Sequence, residues 1–312
     1  MRILIVGAGA VGGYLGACLT RAGRDVTFLV RSGRAAQLAR TGLQVSGARG
    51  AFNVSAKTMI ADELREPFDI VLVSVKSYAI NEAIAQFTPA VGPNSTIIPV
   101  LNGMRHMRSL NDGFGTERVL GGYAMFSANL NEEGGVVLNT QFAHLTFGEQ
   151  VGGLSKRTDT IAELLTVDGF EVHASDAAMQ DMWEKWASIA ANTSATGLMR
   201  AAVGDILSAP GGRRMMLDIV AETCAVAAAA GFALRPPMIE FMVNFFTTEG
   251  STVVASPLRD IERGATTEGE LIIGEFADRA RALGVQTPLL DLTRCHFGAY
   301  EFRRRRERAR AQ

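Results

Sequence analysis

The chain is poor in cysteine, histidine and tryptophan, and it carries almost no net charge. Its three cysteines, Cys18, Cys224 and Cys295, are widely spaced and odd in number. They form neither a disulfide framework nor a metal-ligand pattern, and they fit a reducing compartment. The four histidines form no ligand cluster either, so no metal is implied. A formal net charge of -1 provides no global field to recruit nucleic acid or an anionic membrane. The one basic run, Arg303-Arg304-Arg305-Arg306 followed by Arg308 and Arg310, reads as a solvated last helix rather than a nucleic-acid tail. The apolar N-terminal segment has only five residues, Arg2 to Val6, before glycine, too short for a signal peptide or a membrane span. A cytoplasmic protein is expected, with no internal repeat and no low-complexity linker.

What is present is a globular composition. Hydrophobic residues make up 47% and charged residues 20% of 312 positions, enough for a sizeable core and two domains. The first 31 residues carry the strongest signal. Arg2-Ile3-Leu4-Ile5-Val6 reads as a strand, Gly7-Ala8-Gly9-Ala10-Val11-Gly12 as a tight turn, Tyr14 to Arg21 as a helix and Asp25 to Val30 as a second strand. The first glycine permits the turn, the second lets backbone approach a pyrophosphate, and the third lets helix and strand pack closely. The helix start would favour the phosphates. The second strand ends in Arg31, where an acid would bind the ribose hydroxyls of NAD. An arginine there can stack on adenine and pair with a 2′-phosphate, with Ser32 and Arg34 as helpers, so NADP(H) is the expected cofactor. A solvated loop arginine is the alternative.

Two further apolar runs, Asp69 to Val75 and Thr96 to Leu101, flank a helical stretch from Tyr78 to Phe87. Continuous apolar strands linked by helices indicate a parallel sheet covered on both faces. More strand-like runs follow at Val119 to Asn129, Gly135 to Phe147 and Gly169 to His173. From Ala177 the period becomes helical, with helices expected over Met182 to Met199, Gly212 to Ala230, Pro237 to Thr247 and Thr267 to Leu283. The division expected is therefore 1-175 for a dinucleotide-binding domain and 176-312 for a helical one, sharing a cleft. Ligands bind beyond the carboxyl ends of parallel strands, and Lys76 and Asn102 stand there. In the helical half, Lys185 shares a helix face with Asp181 and Ile189, which fits an exposed lysine in a salt bridge as well as a functional one. Ser256 and Asp260 read equally as caps, and Glu268 as a first-turn acid favoured by the helix dipole. The apolar stretch Met238 to Phe246 points toward a homodimer.

In order along the chain, these residues resemble the ketopantoate reductase (2-dehydropantoate 2-reductase) family. The matching stations are Gly7 to Gly12, Arg31, Val75-Lys76, Asn102-Gly103-Met104, Trp183-Glu184-Lys185, Ser256 to Asp260, Thr267-Glu268 and Gly284-Val285-Gln286-Thr287-Pro288. The resemblance implies a Rossmann-type doubly wound sheet followed by an all-helical C-terminal domain like that of 6-phosphogluconate dehydrogenase. It implies NADPH-dependent reduction of a small 2-keto acid, ketopantoate to pantoate by family default, as in pantothenate and coenzyme A biosynthesis. Lys185 would then be the general acid and Glu268 its partner at the substrate hydroxyl. Ser256 and Thr193 would contact substrate, Asn102 would serve substrate and cofactor, and Lys76 would contact the cofactor.

The chain also departs from the family pattern. Four, eight and about eighteen residues after the catalytic lysine, where the family commonly has asparagine, this chain has Ile189, Thr193 and Val203, with Asn192 one step aside. Ala255-Ser256-Pro257 replaces Ser-Ser-Met. Sites built to bond a substrate hydroxyl discriminate strongly, so these changes bear on which substrate is taken. A reductase of another small 2-keto acid or ketone on the same fold, and a non-catalytic NADP(H)-binding protein, are the alternative readings.

Overall fold

The computed structural model describes residues 1–311, in two compact units, Met1–Met179 and Gln180–Gln312. The first unit opens with β1 (Arg2–Val6), α1 (Ala10–Arg21), β2 (Asp25–Leu29), α2 (Ser32–Thr41), β3 (Leu43–Gly47), β4 (Phe52–Val54) and β5 (Thr58–Met59). It continues with β6 (Ile70–Val73), α3 (Ile80–Phe87), β7 (Thr96–Pro99), α4 (Arg105–Phe114), β8 (Gly121–Met125) and β9 (Ala128–Leu130). β10 (Val136–Leu138), β11 (His144–Gly148), α5 (Lys156–Leu165) and β12 (Glu171–Ala174) complete it.

Five strands form one all-parallel sheet in the order β5-β2-β1-β6-β7. Its central strands, Ile3-Leu4-Ile5 and Ile70-Val71-Leu72-Val73, are wholly buried, as expected of strands covered on both faces. Close helix packing on this sheet depends on Gly16. A Cβ there would lie 2.4 Å from the Phe28 ring and 2.6 Å from Ile5.

Two small sheets, β4-β3-β10-β9 and β12-β11-β8, complete the unit. They correct two of the expected strands. The run 119–129 is broken after Met125, and 135–147 after Leu138, with the halves of each run entering different sheets. Polar groups turn the chain at the breaks. The Asn139 amide N–H donates to the Ser127 carbonyl (2.8 Å), and the Thr140 hydroxyl donates to the Phe142 carbonyl (2.8 Å).

The second unit is helical: α6 (Ala178–Met199, beginning two residues before the unit boundary), α7 (Val203–Ser208), α8 (Gly212–Ala229), α9 (Pro236–Phe246) and α10 (Ser256–Glu262). A π-helical segment, Glu270–Gly274, runs directly into α11 (Glu275–Ala282), and α12 (Pro288–Ala311) ends the chain. The helix expected over 267–283 is therefore π-wound in its first part, a distortion common near functional sites. Trp183, Trp186, Phe232 and Phe276 form an aromatic cluster, with Trp186 edge-on to Phe276 at 4.6 Å. No helix among the described residues is long and apolar enough to cross a membrane.

Candidate active site

In the parallel-sheet unit, the residues singled out from the sequence stand at the carboxyl ends of four adjacent strands. In sheet order they are Arg31 beyond β2, the glycine turn beyond β1, Lys76 beyond β6 and Asn102 beyond β7. Four neighbouring strands span about 15 Å, a reach suited to an extended dinucleotide. Gly7 takes φ +97, which glycine adopts without strain, and its N–H donates to Leu29. At Gly12 a Cβ would meet the Gly7 carbonyl oxygen at 2.3 Å and the Ser74 Oγ at 2.0 Å, so only glycine fits. At Gly9 a Cβ would meet nothing within 4 Å. Backbone is thus open to a ligand at the middle glycine and closed against its own sheet at the third.

Helix α1 starts at Ala10 with no side-chain cap and no acid in its first turn. The N–H groups and positive dipole end of that turn suit a pyrophosphate. Its residues Gly7, Ala8, Gly9, Ala10, Val11 and Gly12 fit the cofactor the turn implies. Ser74, which carried no sequence signal, donates its hydroxyl to the Val6 (3.0 Å) and Gly7 (2.9 Å) carbonyls and fixes the turn from β6.

Arg31 is the N-terminal flanking residue of α2, largely exposed, with its guanidinium on Glu82 at 3.0 Å. Arg34 behaves differently from the helper the sequence suggested. It donates to the Ala8 carbonyl (3.2 and 2.9 Å), the Gly134 carbonyl (2.8 Å) and Gln37 (2.8 Å). Those donors brace the glycine turn against the loop before β10, because buried carbonyls need partners and guanidinium supplies several donors at once. Lys76 is exposed and precedes a short 3-10 turn, Ser77–Ala79. The Ser77 hydroxyl reaches the Asn102 carbonyl at 3.5 Å, tying the two strand ends together.

In the helical unit the central pair is Lys185 and Glu268. Lys185 is buried, which excludes the exposed-lysine reading. Burial pushes its ammonium down to about 8, and the Glu268 carboxylate partly offsets that fall. α6 is held on one side by Arg235, whose guanidinium pairs with Asp181 and with Glu184 (2.5 Å), and whose N–H also donates to Glu184 (2.8 Å). Burial opposes the Glu184 charge, but the bonds from Arg235 and Gln180 outweigh it and hold that carboxyl below its usual range. On the other side, the Trp186 Nε1–H donates to the Ile272 carbonyl inside the π-helical segment (3.2 Å). Glu268 stands just before that segment, and its carbonyl accepts from Leu271 and Ile272 (both 3.0 Å). Gly269 brings this turn against α12, since a Cβ there would lie 2.3 Å from the Phe297 ring. Trp186 and Arg235 were missed from the sequence as positioning residues; Trp186 stood beside the lysine motif without a role.

Of the other expected contacts, Thr193 is buried and Ser256 is exposed at the first position of α10. No side chain caps α10, so the capping role read for Ser256 is not made. Ile189 is half-buried, and Val203 is fully buried with its N–H on the Val253 carbonyl (3.1 Å). Among the described residues no cluster of three or more His, Cys, Asp or Glu could hold a metal ion.

A glycine turn opening a parallel sheet, followed by a helical unit in which a buried lysine faces a half-buried glutamate, fits an oxidoreductase. More particularly, the chain belongs to the ketopantoate reductase family. The family model "Ketopantoate reductase PanE/ApbA" matches residues 3–152, and its C-terminal counterpart matches 177–297. An uncharacterized oxidoreductase of Bacillus subtilis, YkpB, is 34% identical over 96% of this chain and 99% of its own length. The 2-dehydropantoate 2-reductase of Archaeoglobus fulgidus is 29% identical, covering 94% of this chain and 97% of that one. Among solved structures, 2-dehydropantoate 2-reductase from Geobacter metallireducens superposes with TM-score 0.86 at 28% identity, over 96% and 99% of the two chains. A D-mandelate dehydrogenase bound to NADH and anilino(oxo)acetate also superposes at TM-score 0.86, over 98% and 100% of the chains, but at 21% identity, a likeness of fold.

Proposed function

We propose that the protein is an NADPH-dependent 2-keto acid reductase, with ketopantoate to pantoate as its reaction. The observation that carries this reading is the buried Lys185 beside Glu268, with its ammonium pushed down to about 8. An acid poised near neutral pH transfers its proton readily in a carbonyl reduction. The glycine turn, Arg31, Lys76 and Asn102 would hold the cofactor, whose nicotinamide supplies hydride when bound. Lys185 gives its Nζ proton to the carbonyl oxygen as the keto carbon gains hydride and the carbonyl π pair moves to oxygen, leaving a 2-hydroxy acid. Before transfer, its positive charge stabilises the negative charge building on that oxygen. Glu268 holds the lysine and accepts from the new hydroxyl, while Ser256 and Thr193 contact the substrate. The 2′-phosphate preference rests on Arg31 at the start of α2, where guanidinium and helix N–H groups coincide. A phosphate there would compete with Glu82 for the guanidinium.

Ile189 and Val203 favour a second reading, a less polar 2-keto acid on the same machinery. Following NADPH oxidation with ketopantoate, pyruvate and bulkier 2-keto acids separates the two. Turnover of ketopantoate above the others is the expected result. Turnover only of less polar acids would assign the second reading, and none at all, with NADPH bound, would leave a binding protein. The three free cysteines support a reducing, cytoplasmic setting.

A further inference from the structure

Away from the residues that stand beyond the four strands, the parallel-sheet unit holds a cavity of about 160 Å³. Tyr14, Arg21, Ser46, Arg49, Phe52 and Asp168 line it. Arg21 belongs to the last turn of α1, Ser46 to β3, Arg49 to the turn between β3 and β4, and Phe52 opens β4. From Ala10 to Arg21 the helix rises about 16 Å, so Arg21 stands at the far end of α1 from the glycine turn.

The walls of this cavity are fixed. The Tyr14 hydroxyl donates to the Gly169 carbonyl (2.6 Å). The Ala48 N–H donates to the Leu138 carbonyl (2.9 Å), and a Cβ at Gly47 would lie 2.1 Å from that same oxygen, so the β3–β4 turn lies tight on β10. The Arg21 guanidinium lies 4.1 Å over the Phe52 ring, which holds its carbon and leaves its N–H edge open. Burial pushes the Tyr14 hydroxyl up to about 12, the Cys18 thiol adds to that rise, and the Arg49 and Arg21 charges pull against it. Both guanidiniums are therefore within electrostatic reach of one point.

Neither arginine bonds a carboxylate among the described residues, although Asp168 lines the same cavity. Asp168 and the negative end of α1 offset part of the charge, and an excess of positive charge remains. Guanidinium forks turned toward one cavity match the oxygens of a phosphate group. A cavity of about 150 Å³ holds a ligand of six heavy atoms, so the volume suits one phosphate group and not a dinucleotide. We propose that this cavity is a second anion site, separate from the dinucleotide turn, that takes a phosphate group: Arg21 and Arg49 donate to its oxygens, and the Ser46 hydroxyl completes the set.

The test is calorimetric titration of inorganic phosphate into the whole protein, with and without NADPH, against sodium chloride at matched ionic strength. Saturable binding of phosphate is expected in both conditions. Arg49→Gln should weaken it by about ten- to a hundredfold, the worth of a hydrogen bond to a charged group, and Arg21→Gln by a similar factor. Arg31→Gln should leave it unchanged. Phosphate should raise the Tm of the wild type and not that of Arg49→Gln, whose Tm without phosphate should match the wild type's. Glycerol 3-phosphate separates the sources: tighter binding than inorganic phosphate would assign the site to a phosphomonoester, and weaker binding to the free ion, either result supporting the proposal. Absence of phosphate binding, an equal response to chloride, or binding unchanged in both Arg49→Gln and Arg21→Gln would overturn it. Loss of phosphate binding with NADPH present, or in Arg31→Gln, would overturn it too, by placing the ion at the dinucleotide site.

Discussion

The parallel-sheet unit and the helical unit build their functional groups in opposite ways. In the first, the work falls to backbone: a turn of glycines within six residues, one of them at φ +97 and one admitting no Cβ, opening a helix whose first N–H groups are uncapped. In the second, it falls to side chains: Lys185 and Glu268 are 83 residues apart in sequence, brought together by α6 and a π-helical turn that Trp186 and Phe297 hold in place. A backbone site needs particular residues close together in sequence, so it leaves a motif. A side-chain site needs only that distant residues share a place, and it can be changed one residue at a time without disturbing the fold. Family members can therefore keep the first half and alter the second.

The sharpest way to break this contrast is Lys185→Ala. General acid catalysis contributes a factor of about a hundred to ten thousand, and charge stabilisation about a hundred to a thousand. Turnover should fall by orders of magnitude while NADPH binding, followed by cofactor fluorescence, stays near that of the wild type. A near-normal rate would take the lysine out of the acid role. Next in size is Gly12→Ala, whose Cβ would lie 2.3 Å from a backbone oxygen that cannot swing away. Overpacking of this kind costs about 1–3 kcal/mol, and shifting the turn should also weaken NADPH by about a hundredfold, read as Kd beside Tm. Unchanged affinity would mean that the turn does not hold the pyrophosphate.

Arg31→Asp should weaken NADPH by about ten- to a hundredfold and NADH far less, since a charge-assisted bond to the 2′-phosphate is worth about 1.5–3 kcal/mol. Equal losses for both cofactors would show that Arg31 serves only its pairing with Glu82. This prediction also marks how far the sequence could be read. β1, β6 and β7 and helices α6, α8 and α9 were legible because each is long or strongly apolar for its type. The breaks after Met125 and Leu138 were not, because hydrophobicity continues across them while polar side chains turn the chain. The stations beyond the four strands were legible from position alone. The bracing role of Arg34 was not, because it depends on the Gly134 carbonyl, 100 residues away, coming into reach. In the helical unit no spacing rule distinguished Lys185 from a solvated lysine. Resemblance implied a role for it, and the structure adds that it is buried with its ammonium pushed down to about 8.

A pH profile sharpens the same point for the side-chain half. Burial favours the neutral form of Lys185 and so lowers its proton affinity to about 8. The acid form dominates below that value and is lost above it, so kcat/KM should fall toward tenfold per unit on the alkaline side of about pH 8. Glu268 opposes the effect of burial, so Glu268→Gln should move that limb to lower pH as well as slow the reaction. A limb that stays in place in Glu268→Gln, or that appears only well above pH 8, would separate the two residues.

The smallest effect should come from Ser74→Ala, and it tests the backbone half where a side chain does take part. Its hydroxyl bridges the Val6 and Gly7 carbonyls, and its removal forfeits about 1 kcal/mol as a net hydrogen-bond loss, seen as a Tm lower by a few degrees. NADPH affinity should change only a few-fold, because the turn's shape is set by Gly7 and Gly12 and the phosphates meet N–H groups that the mutation leaves alone. If Ser74→Ala instead abolished binding while the protein stayed folded, a side chain would be carrying the cofactor site. The contrast between the two units would then fail in the half where it is drawn most firmly.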